Sequence, residues 1–135
     1  MGQAAPGGRF APQALFGTAV TDLSPIENRA VGALLGLAVG DALGTTLEFT
    51  QRDSYTPLAD MVGGGPFELQ PGQWTDDTSM ALALAESLSV KAALDEADLM
   101  GRFANWYVHG VNSCTGTCFD IGHATRSAIE ALKIL

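Results

Sequence analysis

Residues 24–44 read SPIENRAVGALLGLAVGDALG, and they decide the fold class. Ser24 suits an N-cap, Pro25 the first helical position, and Glu27 the reciprocal place of a capping box. The apolar run behind them carries Gly32, Gly36, Gly40 and Gly44, one glycine every four residues. An interior glycine costs a helix about 1 kcal/mol relative to alanine, so four in register need a reason. That spacing keeps the bare positions on one face, where a second backbone can approach closely. Arg29 and Asp41 interrupt the run, which favours a buried, tightly packed helix of a soluble domain over a membrane span. Gly44 is the expected terminator.

Downstream, residues 50–73 contain TP, GGGP and PG and read as an irregular connection, long enough to be functional. A second helix is expected from about Thr78, with Met80, Leu84 and Leu88 as its apolar row. A third starts near Asp95, places Leu99, Phe103, Trp106 and Tyr107 on one face, and stops at Gly110. VNSCTGTCFDIG (111–122) is a polar loop, and HATRSAIEALKIL (123–135) repeats Ala124, Ala128, Leu132 and Leu135 at helical spacing. No stretch alternates like a strand, so the chain is expected to be all-α. Residues 1–23, rich in Gly, Ala, Pro and Gln, are expected to be a flexible extension, with RFAPQALF able to dock. The last helical pattern runs on without a glycine, asparagine or proline to end it. This leads to the expectation that residues 24–135 are the N-terminal half of a larger domain.

Composition narrows the function classes. The 135 residues are 47 % hydrophobic, which suits a packed core, and carry a formal net charge of −8. A chain this acidic, without a Lys/Arg stripe, is repelled by nucleic acid and by anionic lipid. No apolar run is expected to reach the length of a membrane span, and no signal-peptide pattern opens the chain. Cys114 and Cys118 are too few for a disulfide scaffold and lack CxxC spacing, which points to a reduced, cytoplasmic setting.

The segment GQWTDDTS (72–79) sets two carboxylates side by side at a helix start. One acid there suits the free N–H groups and the helix dipole. Two repel each other. Either the pair is a cap carrying an excess charge, or Thr75, Asp76, Asp77 and Thr78 present oxygen ligands to a hard cation such as Mg²⁺. Glu48 follows the first helix and reads as a solvated surface acid or a site acid. Asp41 lies at that helix's C-terminal end, where the dipole disfavours it, so it is expected to be paired. TGTCFDIG either forms an ordinary turn with Phe119 in the core or cradles a ligand. His109 and His123 lack the partner that a zinc helix needs.

Taken together, GALLGLAVGDALGTTLEF (32–49), GQWTDDTSMALALAESL (72–88) and SCTGTCFDIGHATRSA (113–128) resemble the ADP-ribosylglycohydrolase family, in order and spacing. The nearest branch is the bacterial one typified by dinitrogenase-reductase-activating glycohydrolase. The resemblance implies the N-terminal part of an orthogonal all-helical fold, incomplete in this chain. It also implies a centre of two Mg²⁺ or Mn²⁺ ions and hydrolysis of ADP-ribose from a protein side chain, often arginine. Thr75, Asp76 and Asp77 match metal ligands, and Glu48 and Asp120 match catalytic carboxylates. Gly116, Thr117 and Phe119 match the substrate-side loop. The family's Asp-Thr-Asp segment has no counterpart here, so this chain is expected to supply about half the ligands and to need a complementary C-terminal half. An alternative expectation is an inactive or immunity-type module that blocks an ADP-ribosyltransferase through residues 1–23.

Overall fold

A computed structural model describes residues 23–132. Four α-helices follow in order: α1 (Pro25–Gly44), α2 (Asp76–Lys91), α3 (Glu96–His109) and α4 (His123–Ala131), with a 3₁₀ turn at Thr45–Leu47 behind α1. The described residues contain no strand, only an antiparallel bridge between Gly64 and Leu69 in the long connection. The all-α expectation holds. Residues 1–22, on which the flexible extension and its blocking role were expected, lie outside the described residues, as does Leu135.

The start of α1 is the one its sequence specifies. The Ser24 hydroxyl accepts the Glu27 N–H at 3.3 Å, and the Glu27 carboxylate accepts the Ser24 N–H at 2.8 Å. α2 begins at Asp76, two residues earlier than its pattern indicates, and ends on Ala92 in the left-handed region. Asp95 caps α3 by accepting the Asp98 N–H at 3.0 Å.

Packing departs from the sequence reading in three places. α1 is not a buried helix among the described residues. Ala42 is its only buried residue, and a Cβ added at Gly32, Gly36, Gly40 or Gly44 would meet nothing within 4 Å. Among the described residues the glycine stripe is open, and no backbone approaches it. Nor is the run too short for a membrane: Pro25–Leu47 has a mean hydropathy of 1.6 and is long and apolar enough to span one. Glycine is nearly neutral in hydropathy and does not break such a run.

In α2 the buried row is Ser79, Ala83 and Ser87, not Met80, Leu84 and Leu88. Small side chains let α3 come close, and they place Leu84 and Leu88 in an open apolar groove against α1. In α4 the inward residue is Ile129, fully buried beside α3, while Ala124, Ala128 and Leu132 are exposed. Helical spacing identified each helix, but residue size decided its inner face. α3 matches better: Trp106 is buried at the centre of the core, with Ala104.

Gly110 ends α3 at φ +68°, its N–H donating to the Trp106 carbonyl at 2.8 Å. A Cβ there would run into the Gly116 carbonyl. Gly110→Ala combines a left-handed alanine with that clash and is expected to destabilise the chain by about 3 kcal/mol, measured by urea unfolding.

Candidate metal and hydrolase site

The centre of the site is the join between the end of α1 and the start of α2. Thr75 holds the N-cap position of α2, yet its side chain makes no capping bond to its own helix. The cap comes from α1. Both carboxylate oxygens of Asp41 accept the Thr75 N–H at 3.1 Å, and Oδ2 accepts the Thr78 N–H at 3.0 Å. The two hydroxyls also donate to it, Thr75 Oγ1 at 2.7 Å and Thr78 Oγ1 at 2.6 Å. Asp41 therefore exchanges an unfavourable helix end for a favourable one, since the N-terminus of α2 attracts negative charge. Sequence reasoning found its need for a partner but not the partner.

This changes the meaning of the Asp pair. Asp76 and Asp77 lie in the first turn of α2, but Asp41 already takes the Thr75 and Thr78 N–H groups, so the cap of α2 does not call for two further carboxylates. Both carboxylates line a pocket of about 290 Å³ with Asp41, Glu48, Thr75 and Asp120. Among the described residues, none of its lining side chains is cationic.

The charge is correspondingly uncomfortable. Burial pushes the Asp76 carboxyl up to about 6, and the Asp120 and Asp77 carboxylates add to it. Asp120 is likewise pushed up to about 6, by burial first and then by Glu48, Asp41 and Asp77. Burial also raises Glu48, against the pull of a hydrogen bond with Asp120, while Asp76, Asp41 and Asp77 push it further up. Glu48 and Asp120 thus form a close carboxyl pair, reached from opposite ends of the sequence.

Two fastenings bring Asp120 there. The Trp74 indole N–H donates to the Asn112 carbonyl at 3.1 Å, and the Cys114 thiol to the Trp74 carbonyl at 2.9 Å. These tie the 111–122 loop to the entrance of α2. Asp120 itself has φ +56°, a left-handed conformation uncommon outside glycine. On the other side, Thr46 Oγ1 donates to the Gly63 carbonyl at 3.0 Å, holding the turn before Glu48.

Thr117 and Phe119 line a neighbouring recess of about 230 Å³ with Phe67 and Leu69. Gly116 sits at the exposed tip of that loop at φ +77°, with open space where a Cβ would be. The sequence reading missed an aromatic row: Phe67 packs against Phe119 at 5.2 Å between ring centroids and against Phe49 at 6.3 Å. Its signal was available, since Phe49 and Phe119 each adjoin a candidate carboxylate.

The donor set fits a hard divalent cation. It offers carboxylate and hydroxyl oxygens, an excess of negative charge, and no competing Lys or Arg. Among the described residues, however, no three His, Cys, Asp or Glu side chains are grouped closely enough to hold an ion by themselves.

The helical scaffold thus gathers carboxylates at helix ends around an oxygen-donor pocket. The chain belongs to the ADP-ribosylglycohydrolase family, whose model matches residues 22–134. It is 59 % identical over 103 residues to the ADP-ribosylarginine hydrolase Tri1 of Serratia proteamaculans (strain 568), covering 76 % of this chain and 28 % of that protein. It is 52 % identical over 109 residues to the ADP-ribosyl-[dinitrogen reductase] glycohydrolase of Rhodospirillum rubrum, covering 78 % of this chain and 35 % of the relative. A solved structure described as an ADP-ribosylglycohydrolase-related protein complex superposes with a TM-score of 0.64 at 44 % identity, over 78 % of this chain and 33 % of that one. The chain thus spans about a third of the length of these relatives.

Proposed function

We propose that this chain carries the carboxylate half of a metal-dependent site that hydrolyses ADP-ribose from a modified protein side chain, an ADP-ribosyl-arginine. The observation that carries this reading is the five-carboxylate pocket, in which Asp41 does the capping and leaves Asp76 and Asp77 for a ligand. Similarity to hydrolases named for ADP-ribosylarginine and ADP-ribosyl-dinitrogen reductase supports the substrate class.

Thr75, Asp76 and Asp77 would hold Mg²⁺ or Mn²⁺, together with ligands from outside residues 23–132. Bound there, the ions would supply charge neutralisation and acidify a water. The other roles fall to the chain's own residues. Asp41 fixes the Thr75 hydroxyl and the first turn of α2, so the two aspartates face the pocket. Glu48 and Asp120, both raised by burial and by neighbouring carboxylates, take up a proton more readily than ordinary carboxylates, as close carboxyls do. The protonated member gives that proton to the departing guanidine nitrogen, because arginine leaves poorly as an anion. The ionised member then takes a proton from the attacking water or stabilises the cationic ribosyl carbon. Thr117 and Phe119 form a wall for the nucleotide. A cytoplasmic setting suits the free thiols of Cys114 and Cys118.

The test is release of ADP-ribose from ADP-ribosyl-arginine protein by the full-length protein, with and without a chelator. Turnover that a chelator abolishes and Mg²⁺ or Mn²⁺ restores is expected. Chelator-insensitive turnover, or none with either ion, would sink the reading.

A further inference from the structure

We infer that Phe49 is the surface on which a planar, cationic acceptor group, a guanidinium, rests beside the carboxyl pair. The inference rests on the hydrolase reading above and adds to it the residue that selects the acceptor. Phe49 follows Glu48 directly, and it is 80 % exposed. Its backbone is at φ +57°, which for a bulky side chain is a true outlier. Such conformations gather at ligand sites, and here the bend turns an apolar ring outward. Among the described residues the ring touches one other aromatic, Phe67, edge-on at 6.3 Å and 72° between planes, and its face is left free.

What covers that face is decided by charge. Glu48 lines a pocket with four other carboxylates and, among the described residues, no cationic side chain, so an anionic group approaching Phe49 meets repulsion. A purely apolar partner gains nothing from the carboxyls. A guanidinium satisfies both features. It is planar and weakly hydrated, it stacks on aromatic faces, and it pairs with carboxylates in the same plane. Phe119, placed next to Asp120 at the far end of the row, packs against Phe67 and is half-buried. Among the described residues the two ends of the row therefore differ, with Phe49 the one open to an incoming side chain.

The experiment is a ligand-observed NMR titration of the full-length protein, wild type, Phe49→Ala and Phe49→Tyr, with ethylguanidinium and its neutral isostere ethylurea. Wild type is expected to bind ethylguanidinium in preference to ethylurea, Phe49→Ala to weaken it about three- to tenfold, and Phe49→Tyr to keep it. ADP-ribose, titrated in parallel, is expected to bind wild type and Phe49→Ala alike. Equal ethylguanidinium affinity in wild type and Phe49→Ala would overturn the inference. So would an equal loss for ADP-ribose, which would place the nucleotide on Phe49. A lowered melting temperature in Phe49→Ala with no preference for the cation in wild type would mean that polypeptide covers the ring, and would also overturn it. Wild type that binds ethylguanidinium through Phe49 but releases no ADP-ribose from arginine would support the inference while removing the hydrolase reading.

Discussion

Asp41→Ala is expected to destabilise the protein by about 3–5 kcal/mol and to cut turnover or cation affinity by about 10- to 100-fold. The reason is that one carboxylate serves four donors. Thr75 and Thr78 are almost fully buried, so their N–H and hydroxyl groups have no water to turn to when Asp41 is gone. The first turn of α2 then frays, and Asp76 and Asp77 lose their placement although neither has been altered. Asp41→Asn separates shape from charge. It fills the same space, but its amide nitrogen faces donors and can satisfy only part of the set. An intermediate loss, about half that of alanine, is expected. Urea unfolding of the three proteins measures the stability effect, and isothermal titration with Mn²⁺ measures the second. Alanine within 1 kcal/mol of wild type would show that water or Thr75 replaces the cap.

Asp41 also shows how far the sequence could be read. A carboxylate at a helix C-terminus is locally wrong, and local wrongness signals a tertiary partner. The signal is legible, but the identity of the partner is not, because 34 residues separate Asp41 from Thr75. Local codes transfer well. Ser24, Glu27, Asp95 and Gly110 all act at the helix ends that their types specify. Inner faces transfer poorly, since several faces of α2 and α4 have a helical period. Ser79, Ala83 and Ser87 won over the leucines because close helix packing rewards small size, a property of the pair of helices and not of either alone.

The open glycine stripe of α1 fails for a related reason. Spacing shows where a backbone can approach, not whether the described residues include one. The half-exposed Leu84 and Leu88 line an apolar groove along the α1–α2 pair, while Gly40 and Gly44 of the stripe line the acidic pocket. The acidic pocket lies at its end. The pair therefore works as a beam: its end presents charge, and the precision of that end depends on the Asp41 cap more than on side-chain burial along its length. This explains how a site can be well formed where so few large side chains are fully buried.

In the absence of divalent cations, stability is expected to fall as pH rises from 5 to 7.5. The folded-state pKa values of Asp76 and Asp120 stand at about 6, above their ordinary 3.8. A raised carboxyl binds its proton more tightly folded than unfolded. Its contribution is thus complete below 3.8 and lost as pH rises through about 6. Glu48, also raised, adds in the same direction. Glu27, Asp95 and Asp98 are lowered by their partners, so their contributions are lost only as pH falls below the ordinary carboxylate range. A carboxyl moved this far is worth about 3 kcal/mol unscreened, and a half-exposed position reduces that to about 1–2 kcal/mol. Mg²⁺ or Mn²⁺ is expected to reverse the trend at pH 7.5, by about 2.7 kcal/mol at a hundredfold excess over the dissociation constant, and to do little at pH 5, where protons compete. Asp76→Asn removes one of the charges, so without cations it is expected to be more stable than wild type at pH 7.5 and to lose most of the gain from added ion. Thermal melts of both proteins at the two pH values, with and without ion, decide it. A wild type equally stable at pH 5 and 7.5, or an Asp76→Asn protein that still gains fully from the ion, would show that the acidic pocket is compensated by something other than a metal.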